Sequence, residues 1–320
     1  MPGISVEYRA LEKKMLDLYS MENYEAAYSL VREMMGSFPE KSGVLYYFAY
    51  CIRNIMGDSE GALGLMEEAA RYGYWADPKQ LLEEPDLISL HNVERFNEVI
   101  KKYSELAVSY RKDSKPILKI LEPERPTANQ SEPLPIIIAL HGNNQTAEDA
   151  VEQWKFMSEN GWLVVAPQSS QASLPNAYIW NDFSVAIPEI KTHLDKIKEK
   201  YRLDNDRFLM AGFSMGAALA AKLTFDQIIA ARRLILMGPY LEKLSGLENS
   251  VHNFSSENGK VYIVIGENDS ECMKGTERLY GMLNESGTEC IMDIIPGIAH
   301  EYPPEFQELV ERNLPFLLKS

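Results

Sequence analysis

One run constrains this chain more than any other: Leu209-Met210-Ala211-Gly212-Phe213-Ser214-Met215-Gly216-Ala217-Ala218. The apolar residues 207–211 predict a short buried strand. It breaks at Gly212, offers one serine, meets Gly216, and continues through Ala217-Ala218-Leu219-Ala220-Ala221-Lys222-Leu223, a stretch of strong helix propensity. A strand, a sharp turn and a helix with a serine at the apex force that serine into a strained backbone conformation. Such strain is tolerated only where neighbouring side chains are absent. Gly212 and Gly216 supply the room, and Ala217 and Ala218 let the helix lie close to the sheet. The hydroxyl then sits at a helix N-terminus, where free N–H groups and the dipole favour negative charge. The bare G-x-S-x-G spacing is a weak pattern; the strand before it and the alanine-rich helix after it give it the context of a nucleophile elbow.

A chain of 320 residues has room for one large domain, or a medium one with a smaller companion. The first residues, Met1-Pro2-Gly3-Ile4-Ser5-Val6-Glu7-Tyr8, carry neither a basic nor an apolar leader pattern, and no apolar run reaches membrane-spanning length. Cys51, Cys272 and Cys290 are odd in number and lack metal-type spacing, so a reducing, cytoplasmic setting is expected. The net charge of −15 argues against nucleic acid and anionic membrane surfaces as partners.

Along the chain, composition changes at Arg111-Lys112-Asp113-Ser114-Lys115-Pro116, which predicts a helical domain over 1–111 and a second domain over 112–320. The first part contains a self-match in which Ala27, Val31 and Met34 align with Ala62, Met66 and Ala69 at an offset of 35 residues. Over roughly residues 7–75 this resembles tetratricopeptide repeats, whose period is about 34, although the tryptophan and glycine of that pattern's first helix are missing. Helices near 79–90 and 93–110 are expected to cap the stack. Such a module serves either to bind a protein partner or to self-associate, or it is a stabilising appendage. The stretch Tyr74-Trp75-Ala76-Asp77-Pro78 is read as packing rather than a ligand stack.

The second part alternates. Strands are expected at 117–121, 135–140, 162–166, 207–211, 234–237, 261–265 and 290–295, and helices at 146–160, 188–201, 271–286 and 304–318. A proline-rich loop is expected over 122–135, and irregular chain between 237 and 261. Short continuous apolar strands between helices imply a mostly parallel sheet covered on both faces, an α/β architecture that places its sites at the carboxyl ends of the strands.

A serine hydroxyl needs a positioned base, usually histidine. His91, His193 and His252 fall in a helical region, within a helix and in a polar loop, whereas His141 and His300 each follow a strand. The pattern alone leaves the choice between these two open. Residues 112–320 resemble α/β-hydrolases of the carboxylesterase, acyl-protein-thioesterase and dienelactone-hydrolase kind. The resemblance is carried by His141-Gly142-Asn143, Gly212-Phe213-Ser214-Met215-Gly216, Gly266-Glu267-Asn268-Asp269 and Gly297-Ile298-Ala299-His300. In that fold the triad runs in the order serine, acid, histidine. The resemblance therefore implies Ser214 as nucleophile, Asp269 as acid and His300 as base, with His141 structural. It also implies oxyanion donors at the backbone N–H groups of Asn143 and Met215.

Among rival acids, Asp226 sits late in a helix, Asp293 lies mid-strand, and Glu267 is a weaker alternative two residues before Asp269. Gly142 is expected to matter to the loop's path, while Trp180 and Tyr240 are candidates for lining the substrate pocket. The expectation is a serine hydrolase acting on small carboxylic esters, with no metal and no organic cofactor. Thioesters or peptides are the nearest alternative substrates, and a non-catalytic scaffold or sensor is the alternative of another class.

Overall fold

The computed structural model describes residues 6–124, 132–242 and 247–319. The centre of the proline-rich loop expected over 122–135 lies outside these residues. The chain divides into two compact units, one of Met1–Lys115 with Ala172–Tyr178, the other of Pro116–Gln171 with Ile179–Ser320.

The first unit contains helices α1 (Val6–Ser20), α2 (Tyr24–Ser37), α3 (Ser42–Ile55), α4 (Ser59–Arg71), α5 (Pro78–Glu83) and α6 (Glu94–Asp113). The self-match falls on α2 and α4. Ala27, Val31, Met34, Ala62, Met66 and Ala69 are all buried to within 1% of full burial, so the repeated small and apolar positions are the packing face. Asp58 caps α4 by accepting from the Gly61 N–H, and Asp77 caps α5 ahead of Pro78. The helix expected near 79–90 is interrupted. Pro85 cannot donate to the preceding turn, so α5 ends at Glu83 and a short 3-10 segment runs from Pro85 to Leu90.

A short hairpin of strands β4 (Ala172–Leu174) and β5 (Ala177–Tyr178) completes this unit and has no counterpart in the sequence reading. The Arg111 Nε–H donates to the Ala172 carbonyl at 2.9 Å, and the Asn176 N–H donates to the Tyr110 hydroxyl at 3.1 Å. Ala172 lies in the same apolar core as α2–α4. The helical unit is thus discontinuous in sequence.

The second unit is built on a seven-stranded sheet, ordered β1 (Ile117–Leu121), β3 (Leu163–Gln168), β2 (Leu134–Leu140), β6 (Leu203–Phe213), β7 (Arg233–Met237), β8 (Lys260–Gly266) and β9 (Glu289–Ile295). β1 pairs antiparallel with β3, and the other pairs are parallel. Alternate residues point to opposite faces. Ile136, Ile138 and Leu140 join one apolar core, Ile137 and Ala139 the other, which explains why these strands read as unbroken apolar runs. Helices α8 (Phe183–Lys200), α9 (Met215–Phe225), α10 (Leu247–Ser256) and α11 (Met273–Glu285) contribute to the first core. α7 (Ala147–Glu159) and α12 (Phe306–Leu318) contribute to the second.

Two expectations need correction here. The chain between 237 and 261 is not irregular throughout, because α10 occupies part of it and seats Val251 and Phe254 in the core. α8 begins at Phe183 rather than at Pro188. Asp182 caps it by accepting from the Ser184 N–H, and Pro188 lies inside the helix rather than starting it. Among the described residues no helix is long and apolar enough to cross a membrane.

Candidate active site

The turn between β6 and α9 holds Ser214 at φ 54° and ψ −122°, a conformation rare for a residue with a side chain. The surroundings fix it. The Ser214 N–H donates to the Met237 carbonyl at 2.9 Å, and its own carbonyl accepts from the N–H groups of Ala218 and Tyr240. A Cβ on Gly216 would lie 2.2 Å from the His141 carbonyl oxygen, and one on Gly212 would lie 2.5 Å from the Gly216 backbone. Both glycines are therefore required by close backbone approach. α9 is buried almost all round, from Met215 to Phe225, which is why its sequence is apolar on every face.

Three strand ends converge on this serine. His300 follows β9, and its Nε2 accepts from the Ser214 hydroxyl at 2.8 Å. The Nδ1–H of the same ring donates to Asp269 Oδ2 at 2.7 Å. Asp269, which follows β8, is nearly inaccessible, and its other oxygen accepts from the Cys272 N–H at 3.1 Å. The neutral imidazole is thus held with its proton on Nδ1 and its lone pair toward the serine. Such a line can take a proton from the hydroxyl and stabilise the resulting imidazolium.

The rival acids are occupied elsewhere. Glu267 Oε2 accepts from the Gly297 N–H at 3.1 Å, Asp293 accepts from the Tyr262 hydroxyl at 2.7 Å and from Arg312, and Asp226 pairs with Lys222 at 2.6 Å. The other histidines are also separate from the serine. His91 stacks on Phe96, His193 is buried in α8, and His252 is exposed in α10 rather than in a loop.

His141 supports the neighbouring loop. Only 1% exposed, it donates from Nδ1–H to the Gly142 carbonyl at 2.7 Å, and burial holds its imidazole down to about 4. The Gly142 N–H donates to Gln145 Oε1 at 2.8 Å, closing a tight turn, and a Cβ on Gly142 would press on Phe213 at 2.7 Å. The Asn143 side chain ties this loop to the next one. Its Oδ1 accepts from the Trp180 N–H at 3.0 Å and its Nδ2–H donates to Asn181 Oδ1 at 2.9 Å. Trp180 is fully buried, tilts over His141 at 4.6 Å, and donates its indole N–H to the His141 carbonyl at 2.8 Å. It braces the loop from within. Tyr240 is half-buried next to the serine backbone, and burial raises its phenol above the ordinary value.

Several residues at this site were not singled out by sequence. Phe213 stacks on the His300 ring at 4.8 Å and also meets Tyr302 at 4.8 Å, so the residue before the serine sets the imidazole plane. Gly238, at φ +47°, backs the Asp269–His300 pair; a Cβ there would stand 3.1 Å from Asp269 Oδ2 and 3.3 Å from His300 Nδ1. Cys272 places Sγ 3.6 Å from His300 Nδ1. Burial pushes its thiol well above the usual range, so it is not a rival nucleophile. Position in the motif could have flagged Phe213, and its spacing from Asp269 could have flagged Cys272.

Residues 7–108 match the family model described as A/B hydrolase-like, N-terminal domain, and residues 131–261 match the model described as Serine aminopeptidase, S33. No curated protein matches the chain. Among solved structures, an uncharacterized protein from Bacillus cereus ATCC 10987 is 24% identical over 97% of this chain and 98% of its own, with a TM-score of 0.56. Esterase PE8 is 17% identical over 63% of this chain and 99% of its own, with a TM-score of 0.52. Est1E from Butyrivibrio proteoclasticus is 16% identical over 63% of this chain and 93% of its own, with a TM-score of 0.50. A mostly parallel sheet flanked by helices and accompanied by an N-terminal helical region, with these matches, is an α/β-hydrolase fold.

Proposed function

We propose that this protein is a serine hydrolase that cleaves small carboxylic esters through an acyl-enzyme. The observation that carries the reading is the hydrogen-bonded line Asp269–His300–Ser214, at 2.7 and 2.8 Å, ending on a strained serine at a helix N-terminus. Ser214 Oγ attacks the acyl carbon while His300 Nε2 takes its proton, and Asp269 stabilises the imidazolium. The same proton then goes to the departing alcohol. Water repeats the sequence against the acyl-enzyme with His300 again as base. The N–H groups of Met215 and Asn143 are proposed as donors to the oxyanion, each worth about 3–4 kcal/mol in the transition state. The cycle calls on no metal or organic cofactor.

Tyr240 is proposed as a substrate-contacting residue because its backbone is bonded to that of Ser214. Trp180 and Gly142 are proposed to act by holding the Asn143 loop. The match over 131–261 favours a second reading, in which the same line cleaves a peptide bond. For the helical unit, the 35-residue offset between α2 and α4 supports a repeat-like stack, proposed to bind a protein partner or a second copy.

A panel of short esters, thioesters and aminoacyl arylamides tests the reading, together with a fluorophosphonate probe. The expected outcome is ester turnover with the label on Ser214. Turnover of arylamides alone would move the assignment to the peptidase reading. Absence of label on Ser214 would remove it.

A further inference from the structure

We infer that Asp269, Cys272 and His300 form a binding site for a thiophilic divalent cation of the zinc and cadmium kind, and that its occupation switches the hydrolase off. The second half of this inference rests on the function proposed above. One ligand atom from each residue lies within 4.8 Å of the others. The donor set is one thiol, one imidazole nitrogen and one carboxylate oxygen, which suits zinc or cadmium and not magnesium or calcium.

Two of the three ligands are preset. Asp269 and Cys272 project from the turn entering α11, both 2% exposed, and the Cys272 N–H bonded to Asp269 Oδ1 at 3.1 Å fixes them relative to one another. The third is adjustable. The His300 side chain is 33% exposed and lies outside any helix or strand. Tetrahedral zinc, with bonds of about 2.0–2.3 Å, spaces its ligand atoms about 3.3–3.6 Å apart. Cys272 Sγ and His300 Nδ1 already stand 3.6 Å apart. Asp269 Oδ2 and His300 Nδ1, now 2.7 Å apart around a shared proton, need to open by about 0.6 Å. A small swing of the ring supplies that, and water takes the fourth position from the exposed side. The Glu271 and Glu242 carboxylates also act electrostatically on Cys272, so the local field favours a cation.

The consequence for the serine follows from counting protons. Without metal, the imidazole carries its proton on Nδ1 and Cys272 is a thiol. The cation takes the Nδ1 lone pair and the Cys272 thiolate. The ring proton then resides on Nε2, and the thiol proton leaves to solvent, so one proton is released per cation bound. Nε2 becomes a donor toward Ser214 and no longer accepts its proton. Asp269 is at the same time diverted from the imidazole to the metal.

Cadmium chloride and zinc chloride are the probes. Titration with cadmium is expected to raise an ultraviolet thiolate-to-metal charge-transfer band that saturates at one equivalent. That band should persist in Ser214→Ala, Cys51→Ala and Cys290→Ala and vanish in Cys272→Ala and Cys272→Ser. Zinc should inhibit ester hydrolysis, and the half-inhibitory concentration should rise at least tenfold in both Cys272 variants, each referred to its own metal-free rate. A band with wild-type amplitude in both Cys272 variants, or no band in the parent protein, would overturn the site. A band lost with Cys272 in a protein without hydrolase activity would uphold the metal site and sink only the function. Inhibition unaffected by either Cys272 substitution would overturn the switch.

Discussion

Two histidines each follow a strand at the same edge of the sheet, and they have opposite fates. His141 is buried to 1%, spends its Nδ1–H on the next carbonyl in the chain, and is held neutral by desolvation. His300 keeps a third of its side chain exposed and spends both nitrogens on functional partners, Asp269 and Ser214. A histidine that transfers protons needs access, an orienting acceptor on one nitrogen and a reacting hydroxyl on the other. A histidine that holds a loop needs burial. The difference lies in surroundings contributed by distant segments, which is why the local pattern alone left the two level.

The comparison breaks most directly at the proton line. Ser214→Ala and His300→Ala should each lower kcat/KM on a short activated ester by about 10⁴-fold or more, because the members of such a line act as a unit. His141→Phe, which keeps a ring against Trp180, should leave kcat/KM within about tenfold of the parent, the range of a positioning change rather than a lost base. Equal losses in His141→Phe and His300→Ala, with unfolding ruled out by circular dichroism, would erase the distinction.

Asp269→Asn comes next. It removes the acceptor that fixes the imidazole tautomer and should cost about 10³–10⁴-fold in kcat. Asp293→Asn, whose parent carboxylate is bonded to Tyr262 and Arg312, should stay within about threefold, as expected for removing a charge outside the proton line. Steady-state kinetics on the two variants side by side decides it, and the reverse ranking would transfer the acid to Asp293. A smaller loss is expected on the His141 side of the site. Asn143→Ala severs the two bonds to Trp180 and Asn181, loosening the loop whose backbone is proposed to face the oxyanion. A fall in kcat of about 10-fold to 100-fold with KM nearly constant is expected, and a change confined to KM would assign Asn143 to ground-state binding instead.

Much of this was legible in the chain, and the reasons are specific. Strands buried on both faces announce themselves as unbroken apolar runs, as Ile136-Ile137-Ile138 does. Ser214, Asp269 and His300 each follow such a run, with a glycine marking the turn. What escaped notice depends on contacts between distant segments. The direction of β1 is not encoded in its five residues, because either orientation presents the same alternation. α10 is rich in serine and asparagine, poor helix formers, and is held by Val251 and Phe254 reaching the core. The hairpin at 172–178 sits inside the sequence of one unit and packs in the other, which no composition change marks. Phe213 and Gly238 acquire their places only when β6, β7 and the His300 loop come together.

The smallest expected effect sharpens the comparison from the stability side. Burial lowers the His141 imidazole from 6.5 to about 4 in the folded protein. Between those values the unfolded chain binds a proton at this residue and the folded protein does not. Stability therefore rises with pH across that window; read in the other direction, it is lost as pH falls from 6.5 toward 4 and is fully retained above 6.5. The slope approaches one proton, about 1.4 kcal/mol per pH unit, for a total on the order of 3 kcal/mol. His141→Phe removes this component and leaves the carboxylates that titrate over the same range in place, so the difference between parent and variant isolates it. Denaturant unfolding at intervals from pH 4 to 8 should give a difference that is flat above 6.5 and moves against the parent below it. Parallel curves across the whole range would mean that His141 titrates alike in the folded and unfolded chain, and the contrast with His300 would then rest on hydrogen bonding alone, without the desolvation that the packing around Trp180 imposes.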